Sequence, residues 1–274
     1  MRIYEPVSGI EGVASGASAS IKIPVNRRLH LLRLFAAAAG PIYGTAVIDT
    51  VFIYVGSKLI RQVTAQELVD IATLNGFTVV QATDGIPIFF SEPWRASVMD
   101  EQVTAWDLWG QNDMTLKVQL KTGLTTPTLA AVMDHDDGFT TNAQNQRVLN
   151  IVKHSPNYQS GGTVNDIMTL DIAYPIHRIY LYPPVGTTIS KVKAILNNVQ
   201  TIHEMTPAQN AAFLKDYKLV APTPAAGAMY PLIFDVEQQF FTALNPPQAL
   251  RVTVESDLGG QIKALIENHA PAYI

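Results

Sequence analysis

Hydrophobic and polar residues alternate singly over residues 20–25, 115–120 and 250–255. That is the period of a strand with one face in a core and the other in solvent or at an interface. Other runs, 47–48 with 51–55, 86–90 and 230–234, are apolar nearly throughout and predict strands buried on both faces. Short segments of this kind, separated by clusters of Gly, Pro and Asn, predict a sandwich or barrel. Helical signals are few. Thr64-Ala65-Gln66-Glu67 has the form of a capping box, with Leu68, Ile71 and Ala72 as the apolar stripe behind it. Thr206-Pro207-Ala208-Gln209 is the same device with proline at the first helical position, followed by Phe213, Leu214 and Tyr217.

The two helix starts lie 142 residues apart and other features recur in the same order. Leu29, Leu32 and Leu34 correspond to Ile176, Ile179 and Leu181, and Val51, Ile53 and Val55 to Val192, Ala194 and Leu196. Pro87 in its apolar run corresponds to Pro231, and Leu116, Val118 and Leu120 to Ile262, Ala264 and Ile266. The pattern predicts an all-β chain of two tandem eight-stranded jelly-roll (β-sandwich) domains, each with a short inserted helix. Residues 1–121 are the expected N-terminal jelly roll and 147–274 the C-terminal one. Residues 122–146, rich in Thr, Asp, Gly and Asn, are the expected linker.

Composition adds the working environment. Of 274 residues 47% are hydrophobic and only 15% charged, against roughly 25% charged in an average soluble protein. Obligate interfaces are depleted in Lys, Glu and Asp, so this balance points to self-association. The net charge is −4 and Arg27-Arg28 is the densest basic pair, which argues against a nucleic-acid groove. The absence of cysteine excludes disulfides and thiolate chemistry. The opening Met1-Arg2-Ile3-Tyr4-Glu5-Pro6 is no signal peptide, and the apolar stretch 34–48 is too short to span a bilayer. Synthesis in a cytoplasm is expected.

Motifs for catalysis are mostly missing. Gly56-Ser57-Lys58 lacks the glycine spacing of a phosphate loop, and His203-Glu204 begins like a zincin but meets Pro207 where the second histidine belongs. No His-x-His pair, the ligand motif of a two-domain cupin, occurs. His30 and His177 occupy equivalent repeat positions and read as structural. Trp94, Trp106 and Trp109 read as packing residues and not as a sugar platform, because 106 and 109 point to opposite faces of a strand. The expectation is therefore a protein that is not an enzyme and requires no cofactor. One acidic cluster stands out. Asp134, Asp136 and Asp137, with His135 among them and Gly138 after, are the candidate ligands of a structural calcium ion, although the spacing departs from an EF-hand.

The segment Ser8-Gly9-Ile10-Glu11-Gly12-Val13-Ala14-Ser15-Gly16-Ala17-Ser18-Ala19-Ser20-Ile21-Lys22-Ile23-Pro24 resembles the start of corticovirus major capsid proteins. Leu250-Arg251-Val252-Thr253-Val254-Glu255-Ser256 and Gln261-Ile262-Lys263-Ala264-Leu265-Ile266-Glu267 resemble their end. These are coat proteins of membrane-containing icosahedral double-stranded DNA phages and related prophages. The resemblance implies a double jelly roll, a homotrimeric pseudo-hexagonal capsomer in a virion shell over an internal lipid membrane, and no catalytic residues. The partners it implies are further copies of the chain, minor capsid or membrane proteins and the membrane itself. It also suggests calcium. The rival readings are a carbohydrate-binding or glycan-processing double jelly roll, and an accessory or spike protein of the same virion.

Overall fold

The alternating segments are strands, and their order is the same twice over. In the computed structural model, residues 2–95, 98–108, 113–137, 148–154, 162–167, 174–235 and 249–271 are described. The chain divides into two units, residues 1–73, 77–150 and 270–274 in the first and 74–76 and 151–269 in the second. The first half carries β1 (Ile3–Pro6), β2 (Ile10–Glu11), β3 (Ser18–Ile23), β4 (Arg28–Ala38), β5 (Ile42–Tyr43), β6 (Ile48–Val55) and β7 (Lys58–Thr64). It continues with α1 (Ala65–Leu74), β8 (Ile86–Phe89), α2 (Val98–Thr104), β9 (Trp106–Asp107), β10 (Met114–Leu120) and β11 (Thr128–Asp136). The second half carries β12 (Val148–His154), β13 (Val164–Ile167), β14 (Ile176–Tyr182), β15 (Ile189–Leu196) and β16 (Gln200–Met205). Then come α3 (Pro207–Asp216), β17 (Tyr230–Ile233), β18 (Leu250–Ser256) and β19 (Lys263–Pro271).

In the first unit one sheet runs β1-β11-β4-β8 and the other β3-β10-β6-β7. In the second, one runs β12-β19-β14-β17 and the other β13-β18-β15-β16. Each set is a jelly roll of eight strands, and in both the inserted helix connects the last strand of the second sheet to the last of the first. Inner faces form the cores. In the second unit Ile179 and Leu181 of β14, Ala264 and Ile266 of β19, and Val252 and Val254 of β18 bury together. In the first, Leu32 and Leu34, Ala131 and Met133, and Leu116 and Val118 hold the matching places. Gly85, at φ +66°, leads into β8 so close to β4 that a Cβ there would stand 2.7 Å from the Leu34 carbonyl oxygen. Among the described residues no helix is long and apolar enough to cross a membrane.

Three expectations change. The fifth repeat match was out of step: β10 corresponds to β18, each between two strands of its sheet, and β19 corresponds to β11. Any two strands with the same alternation look alike in sequence, and only pairing tells them apart. Second, residues 128–136, assigned to the linker, are β11, which pairs with β1 on one side and β4 on the other. Small and acidic residues hide its apolar face, Ala131 and Met133. Third, the run at 51–55 is buried on one face only, because Phe52 and Tyr54 remain partly exposed. The helix α2, only seven residues long, was not anticipated, since so short an element shows no apolar period.

Both capping boxes are made. Thr64 Oγ1 accepts the Glu67 amide at 3.2 Å and Glu67 Oε2 accepts the Thr64 amide at 2.7 Å. Thr206 and Gln209 reciprocate at 3.3 and 2.9 Å, with Pro207 at the first helical position. Thr64→Ala and Thr206→Ala should each lower stability by roughly 0.5–2 kcal/mol, read as a shift of the urea midpoint. Unchanged midpoints in both would mean that the caps carry no free energy.

Candidate functional site

The acidic cluster lies at the end of β11, where β11 meets the beginning of β4 and the residue preceding β1. Asp134, His135 and Asp136 are all buried, and Asp137 follows the strand exposed to solvent. Asp136 is held bidentately by Arg28 of β4: Nε donates to Oδ1 at 2.9 Å and Nη2 to Oδ2 at 2.7 Å. His30 adds a contact from Nε2 to Asp136 Oδ2 at 3.0 Å. Arg2 reaches the same ring, with Nη2 3.1 Å from His30 Nδ1. A guanidinium only donates, so Nδ1 accepts and Nε2 carries the proton given to Asp136. Arg2 also pairs with Glu101 and lies 3.7 Å from Asp134. Beside this, Arg27 bridges Glu5 and His135.

These surroundings set the titration. Burial holds His30 below its ordinary value; the Asp136 hydrogen bond opposes this without overcoming it, and Arg2 and Arg28 add repulsion. Burial raises Asp134, partly offset by Arg2. The bond from Arg27 holds Glu5 down.

The cluster does not fit calcium. Cations of the protein already occupy both Asp136 oxygens, Asp134 faces Arg2, and Asp137 stands apart in solvent. Among the described residues no three His, Cys, Asp or Glu converge as a metal shell. The sequence saw three neighbouring carboxylates but not the arginines brought to them across more than a hundred residues, for which no local signal exists.

The equivalence of His30 and His177 is real and has a backbone cause. Opposite β11, Asp134 pairs with Leu31 and His135 with Leu29, so His30 is the extra residue of a β-bulge. Opposite β19, Glu267 pairs with Arg178 and Asn268 with Ile176, so His177 is the extra residue of a second bulge. In both, the bulge carbonyl accepts the amide that follows the next strand, Phe90 at 2.8 Å and Phe234 at 2.9 Å. Each ring meets a carboxylate, His177 Nδ1 lying 3.4 Å from Asp235 Oδ2 while Arg178 Nε donates to Asp235 Oδ1 at 3.0 Å.

The remaining candidates are structural too. Trp106 is fully buried, edge-on to Phe90 at 4.8 Å, with the Arg61 guanidinium 5.3 Å from its ring centre. Trp94 packs edge-on to Phe89 at 5.3 Å, and Trp109 lies outside the described residues. His203 sits 2.7 Å from the Tyr230 hydroxyl, and burial pushes its pKa down to about 4. Glu204, read beside it as a broken zincin, instead pairs with Lys191 and Lys193 on the solvent face of the sheet.

Residues 4–136 match the family described as viral coat protein P2 N-terminal domain, a span that ends where β11 ends. No curated protein matches the chain by sequence. Among solved structures, the major capsid protein P2 of bacteriophage PM2 is similar, with a TM-score of 0.83 at 18% identity over 99% of this chain and 98% of that one. The STIV major capsid protein (Sulfolobus Turreted Icosahedral Virus) follows at 0.69 and 14%, over 100% of this chain and 98% of that one. The PBCV-1 virus capsid gives 0.65 and 11%, over 100% and 97%. At such identities these likenesses speak for the fold.

Two outcomes are expected. Asp136→Asn leaves the Arg28 guanidinium, 13% exposed, without its counter-charge. It should cost about 3 kcal/mol, the low end for a broken buried pair, measured by urea denaturation. For pH, an unfolded histidine takes up a proton near 6.5, whereas folded His203 does not until about 4. Stability is therefore full above pH 6.5 and is lost as pH falls from there toward 4. The melting temperature of wild type should drop between pH 6.5 and 5, and His203→Gln should remove part of that drop. The part due to His30, whose shift has the same sign, remains.

Proposed function

We propose, on the premise that the chain is a viral major coat protein whose residues 4–136 belong to the viral coat protein P2 N-terminal domain family, that its working form is a homotrimeric capsomer. The observation that carries this is the recurrence of the same eight-strand order in the two jelly rolls of one chain. Two similar barrels per chain give six per trimer, and six give a nearly hexagonal outline that tiles an icosahedral shell. A closed ring is also how a head-to-tail contact avoids growing into a filament. The low charge content suits a surface spent largely on neighbouring copies.

In this reading the shell encloses a lipid membrane, the partners are further capsomers, minor capsid proteins and membrane proteins of the virion, and synthesis takes place in the host cytoplasm. The role is mechanical, without catalysis, cofactor or direct contact with nucleic acid. The buried ion pairs fit that role, because they pin strand ends. An obligate capsomer interface should bury more than about 2,000 Å².

Light scattering after size exclusion at micromolar concentration should give about 90 kDa, three chains of 29.9 kDa each. A 30 kDa species would overturn the capsomer reading.

A further inference from the structure

The corner where β16 turns into α3 is the most lightly held part of the second jelly roll's wall, and one of its fastenings depends on a proton. Among the described residues β16 ends its sheet and pairs with β15 alone. None of its residues is buried: Gln200, Thr201 and Glu204 are exposed, and Ile202, His203 and Met205 half-buried. Its neighbour β15 buries Ile189, Val192 and Ala194. The pairing is also interrupted. His203 lies opposite Ala194 and Thr201 opposite Ile195, so Ile202 is the extra residue of a bulge. Exposed edges of this kind open locally at low cost. The first unit repeats the bulge at Ile60 of β7, where Arg61 stands in the place of His203. There the strand buries Ile60, Arg61 and Val63, and the Arg61 guanidinium donates to the Phe89 carbonyl at 2.7 Å.

The start of β17 holds the corner. The Tyr230 hydroxyl donates to the Met205 carbonyl at 3.3 Å and lies 2.7 Å from His203 Nε2. A hydroxyl has one proton and here it goes to the carbonyl, so Nε2 carries its own proton and donates to the Tyr230 oxygen. The next residue, Pro231, offers its carbonyl to Asn210 Nδ2 of α3 at 2.7 Å. Adjacent residues of β17 thus hold β16 and α3 on either side of the Thr206 cap. The imidazole is neutral in this arrangement, and no carboxylate among the described residues is placed to meet it as a cation. On β15 Lys191 and Lys193 point to the solvent face, where Glu204 pairs with both. Lys215 and Asp216 sit at the exposed far end of α3. The titratable group of β17 is Tyr230 itself, edge-on to the imidazole at 5.9 Å between ring centres, and burial keeps its hydroxyl protonated.

We propose that His203 is an acid-operated release in the wall of the second jelly roll: a second ring proton turns the side chain out to water, and β16 and the first turn of α3 leave the barrel with it. A cationic ring half-buried without a counter-charge is costly, and the edge strand that carries it is the element free to move. The motion takes Met205, two residues along, off the Tyr230 hydroxyl and lifts Ile202 from the aliphatic core it packs against. It leaves β15 as the new sheet edge, with Val192 and Ala194 uncovered. In the first unit Arg61 keeps one charge at every pH in question, so β7 has no such release.

Hydrogen exchange of the full chain, read by mass spectrometry at pH 7 and pH 5 and corrected for intrinsic rates, tests this. The released histidine takes up its proton near 6.5 and the seated one only at about 4, so the opening of residues 200–209 should rise roughly twentyfold between the two conditions. Residues 58–64 of β7 and 250–256 of β18 should keep their protection. In His203→Gln the opening of 200–209 should be the same at both pH values, which a residue with a merely structural role would not bring about. No rise at 200–209, or an equal rise in β7 and β18, overturns the proposal, and so does a rise that persists undiminished in His203→Gln. Should that variant fail to fold, the wild-type profile alone decides.

Discussion

Each half of this protein depends on two four-stranded sheets closing on one another, because neither sheet can leave its inner face in water. The inner rows of β4, β10 and β11 in the first unit and of β14, β18 and β19 in the second are aliphatic and almost wholly buried. Burial of such rows is the dominant favourable contribution to folding. It also fixes register, since a slip of one residue would turn every core side chain outward. The bulges at His30 and His177 are two of the places where this register is offset, and in both the freed carbonyl is used to receive the strand that follows the helix.

Part of the chain's small complement of charge is gathered in buried clusters. Arg2, Arg28, His30, Asp134 and Asp136 converge where β1, β4 and β11 meet, and Arg178 with Asp235 and His177 does similar work in the second unit. Desolvation cancels much of the attraction in such buried pairs, so their net contribution to stability is small, whereas removal of one partner is costly. Their geometry is informative about what the cluster is. A carboxylate with both oxygens on a guanidinium, beside a histidine whose tautomer is set by a second guanidinium, is a fastening for strand ends.

The recurrence of one strand order lets the same fold present two kinds of outer face. The inner faces of the two jelly rolls must stay alike to keep two cores. Their outer faces are free to diverge, and they have done so, into a wet ladder of ion pairs on one sheet of the second unit and a sparsely charged apolar face on one sheet of the first. Sheet faces and loops vary independently of the core because they make few of its contacts.

Much of this was legible in the residues alone. Period-two alternation marked β3, β10 and β18, the Thr-x-x-Glu and Thr-x-x-Gln boxes marked α1 and α3, and the tandem order of these signals implied two jelly rolls. Those are local properties, decided by neighbours two to four positions away. The strand at 128–136 was not legible, because two alanines and three charged or histidine residues mask its apolar side and its partners are distant in sequence. Nor could β10 be told from β11 as the counterpart of β19, since alternation carries no record of which strand lies alongside. The fate of Asp134 and Asp136 had the same cause. Residue type marked them as acids in a row, but whether they met calcium, water or arginine was decided by tertiary pairing, which set Arg28 and His30 opposite Asp136 across 108 and 106 residues of chain.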